Sequence, residues 1–198
     1  TALHYTRGKG YFEEFKADQK FSNYGLTPIT VGTTVINRTD LVRRRWLDND
    51  FYGATYSLSF EDKKWSWNLG GAYNQYIGDH FGQVINASFG NAFETDRHYY
   101  DNVGRKNDFN MYAKASFALN EKLSLFGDLQ YRNVYYKVTG IDTNLNTLNV
   151  RDQLNFVNPK MGLSYSFTPD QVLYTSIAYA TKEPNRDDYI NLNQNVLP

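Results

Sequence analysis

Between Tyr52 and Phe60 every second residue is apolar or small. Tyr52, Ala54, Tyr56, Leu58 and Phe60 alternate with Gly53, Thr55, Ser57 and Ser59. A period of two belongs to an extended strand with one greasy and one polar face. The polar turn Glu61-Asp62-Lys63-Lys64 follows, and a second alternating run starts at Trp65. Two such runs joined by a short turn make an antiparallel hairpin, so the chain is expected to be all-β.

Seven strand-like runs are expected. The first runs from Ala2 to about Phe15 through Leu3, Tyr5 and Tyr11, and a polar segment broken by Gly25, Pro28 and Gly32 follows it. The second is the Tyr52–Phe60 run, beginning as early as Leu41. The third has Trp65, Trp67, Leu69, Gly71 and Tyr73 on one face, and the longest loop is expected after it, from about Gly78 to Asn107. The fourth alternates through Phe109, Met111, Ala113, Ala115, Phe117 and Leu119, and Asn120-Glu121-Lys122 turns it into the fifth, Leu123 to Tyr131. A second long loop is expected from Gly140 to about Asn155. The sixth run carries Val157, Pro159, Met161, Leu163, Tyr165 and Phe167. After Thr168-Pro169-Asp170 the seventh begins near Val172, with Leu173, Ile177 and Tyr179 as its apolar set, and ends at Lys182-Glu183-Pro184.

The connections sort by length. Short turns fall at Glu61–Lys64, Asn120–Lys122 and Thr168–Asp170, each flanked by aromatics or Leu, and every other connection reads as long. Outer-membrane barrels have this asymmetry, with short periplasmic turns, long external loops and aromatic girdles at the interfaces. The apolar face carries no charge in the central part of any run, whereas the polar face does. A charge facing lipid at the midplane costs ~2–4 kcal/mol, so a barrel enforces that rule. The expected lipid-facing set is Tyr56, Leu58, Trp67, Leu69, Ala113 and Leu163. A soluble β-sheet module that recognises sugars through Tyr and Trp is the alternative, and it would bury the same six residues in a protein core.

Composition narrows the choice. The 198 residues hold 21 Lys+Arg and 21 Asp+Glu, a zero balance that lends no support to a nucleic-acid partner. With 17 Tyr and 13 Phe the chain is rich in rings, and Tyr suits a boundary between grease and water. The absence of cysteine excludes disulfides, thiolate metal sites and cysteine nucleophiles. A mean hydropathy of −0.62 excludes helical membrane spans but not barrel strands, which expose only half their residues to lipid.

More specific strings are Trp46-Leu-Asp-Asn-Asp-Phe-Tyr-Gly53, Gly78-Asp-His-Phe-Gly82 and Lys182-Glu-Pro-Asn-Arg-Asp-Asp-Tyr189. They resemble the barrel of TonB-dependent outer-membrane receptors, especially Bacteroidetes-like ones, in which a strand often ends in a Lys/Arg-Glu-Pro-x-Arg-like segment. The resemblance covers most of residues 1–198. It implies a segment of a transmembrane wall of about 22 strands around a plugged lumen, in the outer membrane of a Gram-negative bacterium. It implies import of a scarce ligand (a siderophore, haem, a cobalamin or an oligosaccharide) and energy from the inner-membrane TonB complex acting on the plug. The plug, the TonB-box segment and a terminal aromatic strand have no counterpart in these residues. Seven strands are too few to close such a barrel, so the chain is expected to be a partial barrel domain of a longer protein.

Candidate sites are few. Arg43-Arg44-Arg45 reads as an anion contact at the outer rim, a rim for lipopolysaccharide phosphates, or a solvated strand end. Asp48, Asn49 and Asp50 have the spacing of calcium ligands but lack the turn glycine and distal Glu, so ion pairs or a hydrogen-bonded turn are expected instead. His80 is expected to be a hydrogen-bonded loop residue. The stretch Glu94, Asp96, Arg97, His98, Tyr99, Tyr100 and Asp101 is the candidate ligand contact, with Arg97, His98, Tyr99 and Tyr100 at its centre, because rings stack on sugars or aromatic siderophores and loops carry function on rigid scaffolds. No Gly-x-Ser-x-Gly elbow or His-Glu-x-x-His is present, and the pairs Glu13-Glu14 and Asp187-Asp188 should diverge. No catalytic residue, metal ligand or cofactor is therefore expected, and an outer-membrane enzyme is the least supported class.

Overall fold

A computed structural model describes residues 1–88 and 97–184. Its strands are β1 (Ala2–Lys20), β2 (Ile29–Val31), β3 (Thr34–Ile36), β4 (Arg38–Glu61), β5 (Trp65–Ala87), β6 (His98–Ala118), β7 (Leu123–Ile141), β8 (Thr147–Thr168) and β9 (Gln171–Ala178). Seven of them form one antiparallel sheet in the order β1-β4-β5-β6-β7-β8-β9. The small β2–β3 ribbon and a 3-10 turn, Phe21–Tyr24, are inserted between β1 and β4. The all-β, up-and-down expectation holds, with seven long runs in seven adjacent places.

The strands are longer than the sequence suggests. β5 continues to Ala87 and β6 begins at His98, so most of the expected 78–107 loop is strand. The expected 140–155 loop shrinks to a turn at 142–146, where Asp142 Oδ1 accepts the amides of Asn144 and Asn146 at 2.8 Å each. At ~3.3 Å per residue and a ~45° tilt, a strand of β4's 24 residues stands about 55 Å tall, roughly twice a ~25 Å lipid-facing band. On a membrane barrel, strands of this length would carry their upper half clear of the hydrocarbon.

Register sorts the side chains. Leu58 faces Leu69, which faces Ala113, then Leu129 and Pro159. Phe60, Trp67, Ala115, Gly127 and Met161 form the next such line. The same pairing puts Tyr56, Trp67 and Leu163 on this face, so all six residues expected to meet lipid share one surface. Leu58 and Met161 are each 60% exposed on the isolated sheet, far more than a core would leave. The opposite, inward face carries Ser57, Asn68, Lys114, Asp128, Gln130 and Lys160 at the same level. The buried core lies high on that inward face, where Tyr24, Leu41, Val84, Tyr99 and Tyr100 cluster.

Candidate ligand site on the upper inward face

Strand alternation splits the arginine trio. Arg44 points outward, donates to Glu13 at 2.9 Å and lies 4.3 Å from the Tyr11 ring. Arg43 and Arg45 point inward. Arg43 donates twice to Glu14, at 2.7 and 2.9 Å, and Lys16 holds the other carboxylate oxygen at 2.8 Å. The Lys16 ammonium and then the Arg43 guanidinium hold the Glu14 carboxyl below its ordinary value. Arg45 has no carboxylate partner among the described residues. It sits over Phe12 at 5.3 Å and donates to the Tyr100 hydroxyl at 3.5 Å.

A β-bulge makes the floor of this site. Gly82 pairs with Tyr100 and Gln83 with His98, so Tyr99 is an extra residue on β6. A bulge locally breaks the alternation, and both tyrosines turn inward. Gly82 is what lets them lie flat, since a Cβ there would come closer than 3.0 Å to both rings. Tyr99 packs edge-on against Tyr24 at 4.8 Å and against Tyr100 at 5.0 Å. Burial pushes the Tyr99 hydroxyl up to about 12 and also raises that of Tyr24.

Above that floor lies a cavity of ≈ 410 Å³, lined among others by Gln19, Tyr24, Arg43, Arg45, Asn144 and Leu145. One wall is the turn after β1 and the other is the tip of the β7–β8 turn, fixed by Asp142. With Asn23, the lining offers one neutralised guanidinium, one free of carboxylates, a phenol and three amides. Such a set binds hydroxyls, carbonyls and negative charge.

The four residues expected to touch ligand are not equivalent. Arg97 Nη2 donates to the Gly25 carbonyl at 3.2 Å and braces the turn after β1. His98 points outward, stacks on Phe81 at 4.1 Å and bonds Asp101 at 2.6 Å. Tyr99 is core, and Tyr100 is the one whose ring lies beneath Arg45, at 5.9 Å. Glu94 and Asp96 lie outside the described residues, as do Asp187 and Asp188.

Other expectations resolve simply. Asp48 pairs with Arg7 at 3.2 Å and Lys9 at 3.0 Å, Asp50 accepts from Tyr5 at 2.7 Å, and Asn49 faces inward to Tyr76 at 3.0 Å. The ion pairs expected there exist, though with β1 rather than the nearby arginines, and on a strand rather than a turn. His80 is likewise strand, inside β5 and inward-facing, where a loop was expected. Glu13 and Glu14 diverge as anticipated. Among the described residues no group of three or more His, Asp or Glu gathers as a metal site.

Sequence reasoning missed a second inward cluster. Arg132 grips Asp108, and Glu183, arriving from beyond β9, pairs with both Arg132 at 2.9 Å and Lys106. The string Lys182-Glu183-Pro184 had signalled a strand end, but nothing local said that Glu183 folds back across the wall.

Long antiparallel strands, an apolar outward band and a charged inward face together define the wall of a transmembrane β-barrel. The chain belongs to the TonB dependent receptor-like β-barrel family, whose model matches residues 2–197. That family is one of receptors and transporters rather than enzymes. Comparison with curated proteins gave no match. Among solved structures the chain is similar to the ferric-catecholate import receptor Fiu from E. coli K12 in a closed crystal form, with 13% identity and a TM-score of 0.44. The match covers 88% of this chain and 29% of that one, so the chain spans less than a third of that receptor's length.

Proposed function

We propose that this chain is part of the barrel wall of an outer-membrane receptor of a Gram-negative bacterium, one that imports a scarce ligand with energy from the inner membrane. The observation that carries the reading is the outward band from Phe60 to Tyr52 and its cross-strand partners, uncharged throughout and backed by a charged inward face. Family membership supports it. Seven strands leave two open edges, β1 and β9, and unpaired backbone in lipid costs several kcal/mol per group. Further strands and a plug, through which the TonB complex acts, therefore complete the receptor in this reading. A Bacteroidetes-like origin rests on the strings at 46–53, 78–82 and 182–189 alone. A soluble sugar-binding module leaves the exposed band of Leu58, Leu69 and Met161 without a role.

Siderophore, haem, cobalamin and oligosaccharide are the ligand classes, and the carboxylate-free Arg45 favours an anionic one. The 5.9 Å between Arg45 and the Tyr100 ring supports contact by Tyr100, with Arg97, His98 and Tyr99 shaping the rim around it. Uptake of a labelled panel of these ligands by cells carrying the full-length receptor tests the reading. Accumulation of one class is expected only when TonB is present, and Arg45→Gln is expected to weaken binding of an anionic ligand about tenfold. Accumulation independent of TonB, with no loss in the variant, overturns it.

A further inference from the structure

The two inward arginines of the upper cavity are unequal. Arg43 spends Nε and Nη2 on Glu14, at 2.9 and 2.7 Å, and Nη1 on the Tyr24 hydroxyl at 3.4 Å. Arg45 spends only Nε, on the Tyr100 hydroxyl at 3.5 Å, while its guanidinium lies over the Phe12 ring. Both Nη atoms of Arg45 lack a hydrogen-bond partner among the described residues. A guanidinium with that end open is a planar fork, matched to a carboxylate. The cavity holds one such fork, and so answers one negative charge.

The rings at the site are closed. Tyr24, Tyr99 and Tyr100 are 2%, 7% and 4% exposed, packed against one another. Tyr24 is the one ring in the cavity lining, so a flat conjugated ligand finds no open aromatic face there. The exposed part of the lining is amide and hydroxyl, from Ser22, Asn23, Thr143 and Asn144. The side chains of Asn23 and Asn144 have no hydrogen-bond partner among the described residues. An amide presents donors and an acceptor side by side, the complement of neighbouring sugar hydroxyls. Gln19, by contrast, is spent on the Ala17 carbonyl at 3.0 Å and the Tyr24 hydroxyl at 3.4 Å.

Leu145 adds the apolar contact. It sits at φ 64, in the left-handed region that penalises a side chain with a Cβ. Asp142 keeps it there, since its carbonyl accepts the Leu145 amide at 3.0 Å and its Oδ1 accepts the amides on either side. Glycine or asparagine would suit that position better. Leucine instead places a hydrocarbon patch in the lining next to Asn144. The C–H face of a pyranose ring fits such a patch, with its hydroxyls reaching the amides. The ≈ 410 Å³ lies within the ordinary range of small-molecule sites, about 300–1,000 Å³.

We propose that this cavity holds an acidic oligosaccharide, with a sugar carboxylate on the Arg45 fork, hydroxyls on Asn23 and Asn144, and a ring face on Leu145. The inference rests on the receptor reading above and names the ligand class for the same site. Haem and aromatic siderophores have no ring to stack on here, and a neutral sugar leaves Arg45 unanswered.

The test is calorimetric titration of the full-length receptor in mild detergent. The probes are short oligomers of galacturonic, glucuronic, mannuronic and guluronic acid, each paired with its carboxyl-reduced, neutral form. At least one acidic oligomer should bind, and its reduced form about tenfold more weakly. Arg45→Gln should lower binding of the acidic oligomer about tenfold and leave the reduced form unchanged, and Arg45→Lys should lose less. Asn144→Ala should weaken both forms about fivefold. Leu145→Gly should also weaken both, without lowering the folded fraction read by heat-modifiable gel migration. Binding of none of the acidic oligomers, equal binding of the reduced form, or no loss in Arg45→Gln each overturns the proposal. Should Arg45→Gln not insert, Asn144→Ala on the exposed turn decides, and unchanged binding there overturns the assignment. TonB-dependent uptake of a ferric siderophore or haem without oligomer binding overturns this inference and leaves the receptor reading standing. Oligomer binding with TonB-independent uptake counts against the receptor reading alone.

Discussion

The Pro159 carbonyl accepts the Tyr179 amide at 3.0 Å, and the ladder between β8 and β9 ends there. In an antiparallel pair of this kind the two residues exchange both bonds. Proline has no N–H to return, and the backbone pairing goes no further than Tyr179. Asn158 Oδ1 then takes the Thr181 amide at 2.9 Å and turns the chain inward. Two residues later Glu183 reaches Arg132, two strands away from β9, and Lys106, three strands away. A single proline in β8 thus converts the end of β9 from wall into a strap across the inner surface.

The strap should loosen when its anchor is removed. Glu183, Lys106 and Arg132 are each a quarter to a third exposed, so solvent screening limits the pairing to about 1 kcal/mol, or roughly fivefold in an opening equilibrium. Glu183→Gln in the full-length receptor is expected to raise tryptic cleavage after the exposed Lys182 by about that factor. Cleavage at Lys63 and Lys64, in the turn between β4 and β5, should not change. An unchanged Lys182 rate would mean that Asn158 alone holds the strap.

Leu58 and its neighbour Ser57 differ only in the face they occupy. Leu58→Arg places a charge on the outward band, which costs ~2–4 kcal/mol near the bilayer midplane, and Leu163→Arg should behave alike. Ser57→Arg points into the polar interior and should be tolerated. The folded fraction in outer membranes, read by heat-modifiable migration, is expected to collapse for the two leucine variants and to stay near the unaltered level for Ser57→Arg. A leucine variant recovered as a soluble protein that merely melts earlier would refute the lipid assignment of this face.

Much of this architecture is legible in the sequence, and the illegible parts share a cause. From Phe60 up to Tyr52 one face is apolar and the other polar, so the period of two is clear, as are the turns that end it. Above Tyr52 both faces of β4 are wet, and β5 runs Ile77, Asp79, Phe81, Gln83 on one side against Gly78, His80, Gly82, Val84 on the other. Neither side is reliably apolar, the periodicity signal vanishes, and the upper strands read as loop. The same wetness hides the site. Alternation alone would have separated Arg44 from Arg43 and Arg45, but the shared inward direction of Tyr99 and Tyr100 needs the bulge opposite Gly82, which no local pattern announces. Glu183 depends on Pro159, 24 positions earlier, and on a ladder visible only once the strands are paired.

Gly82 and Gly127 give opposite expectations for the same kind of substitution. Gly82→Val would drive a side chain into the Tyr99 and Tyr100 rings, an overpacking worth about 1–3 kcal/mol that also tilts Tyr100 away from Arg45. Gly127 has nothing within 4 Å of a Cβ, so Gly127→Ala should be neutral or slightly stabilising. Urea titration of the refolded full-length receptor should show a lower midpoint for Gly82→Val and none for Gly127→Ala. Ligand binding at the inner rim should fall with the first and hold with the second.

Glu14 gives the rim a pH dependence of defined sign. Its carboxyl is held below the ordinary 4.5 by Lys16 first and by Arg43 next. The unfolded chain therefore takes up a proton more readily than the folded one as pH falls. The stability Glu14 contributes is complete above 4.5 and is lost as pH drops below it through the folded value. Tyr99 acts at the other end of the scale. With its hydroxyl raised from 10.0 to about 12, the folded state favours the neutral phenol, so its contribution is complete below 10 and lost as pH climbs toward 12. Unfolding of the full-length receptor followed across pH should show both shoulders. Glu14→Gln should flatten the acidic one while leaving the alkaline one, and Tyr99→Phe should do the reverse. Because Glu14 neutralises Arg43, the Gln variant should also leave two uncompensated guanidiniums beside the cavity. An anionic ligand is then expected to bind the Glu14→Gln receptor more tightly than the unaltered one at neutral pH, and weaker binding would mean that Glu14 holds Arg43 in its binding posture rather than merely offsetting its charge.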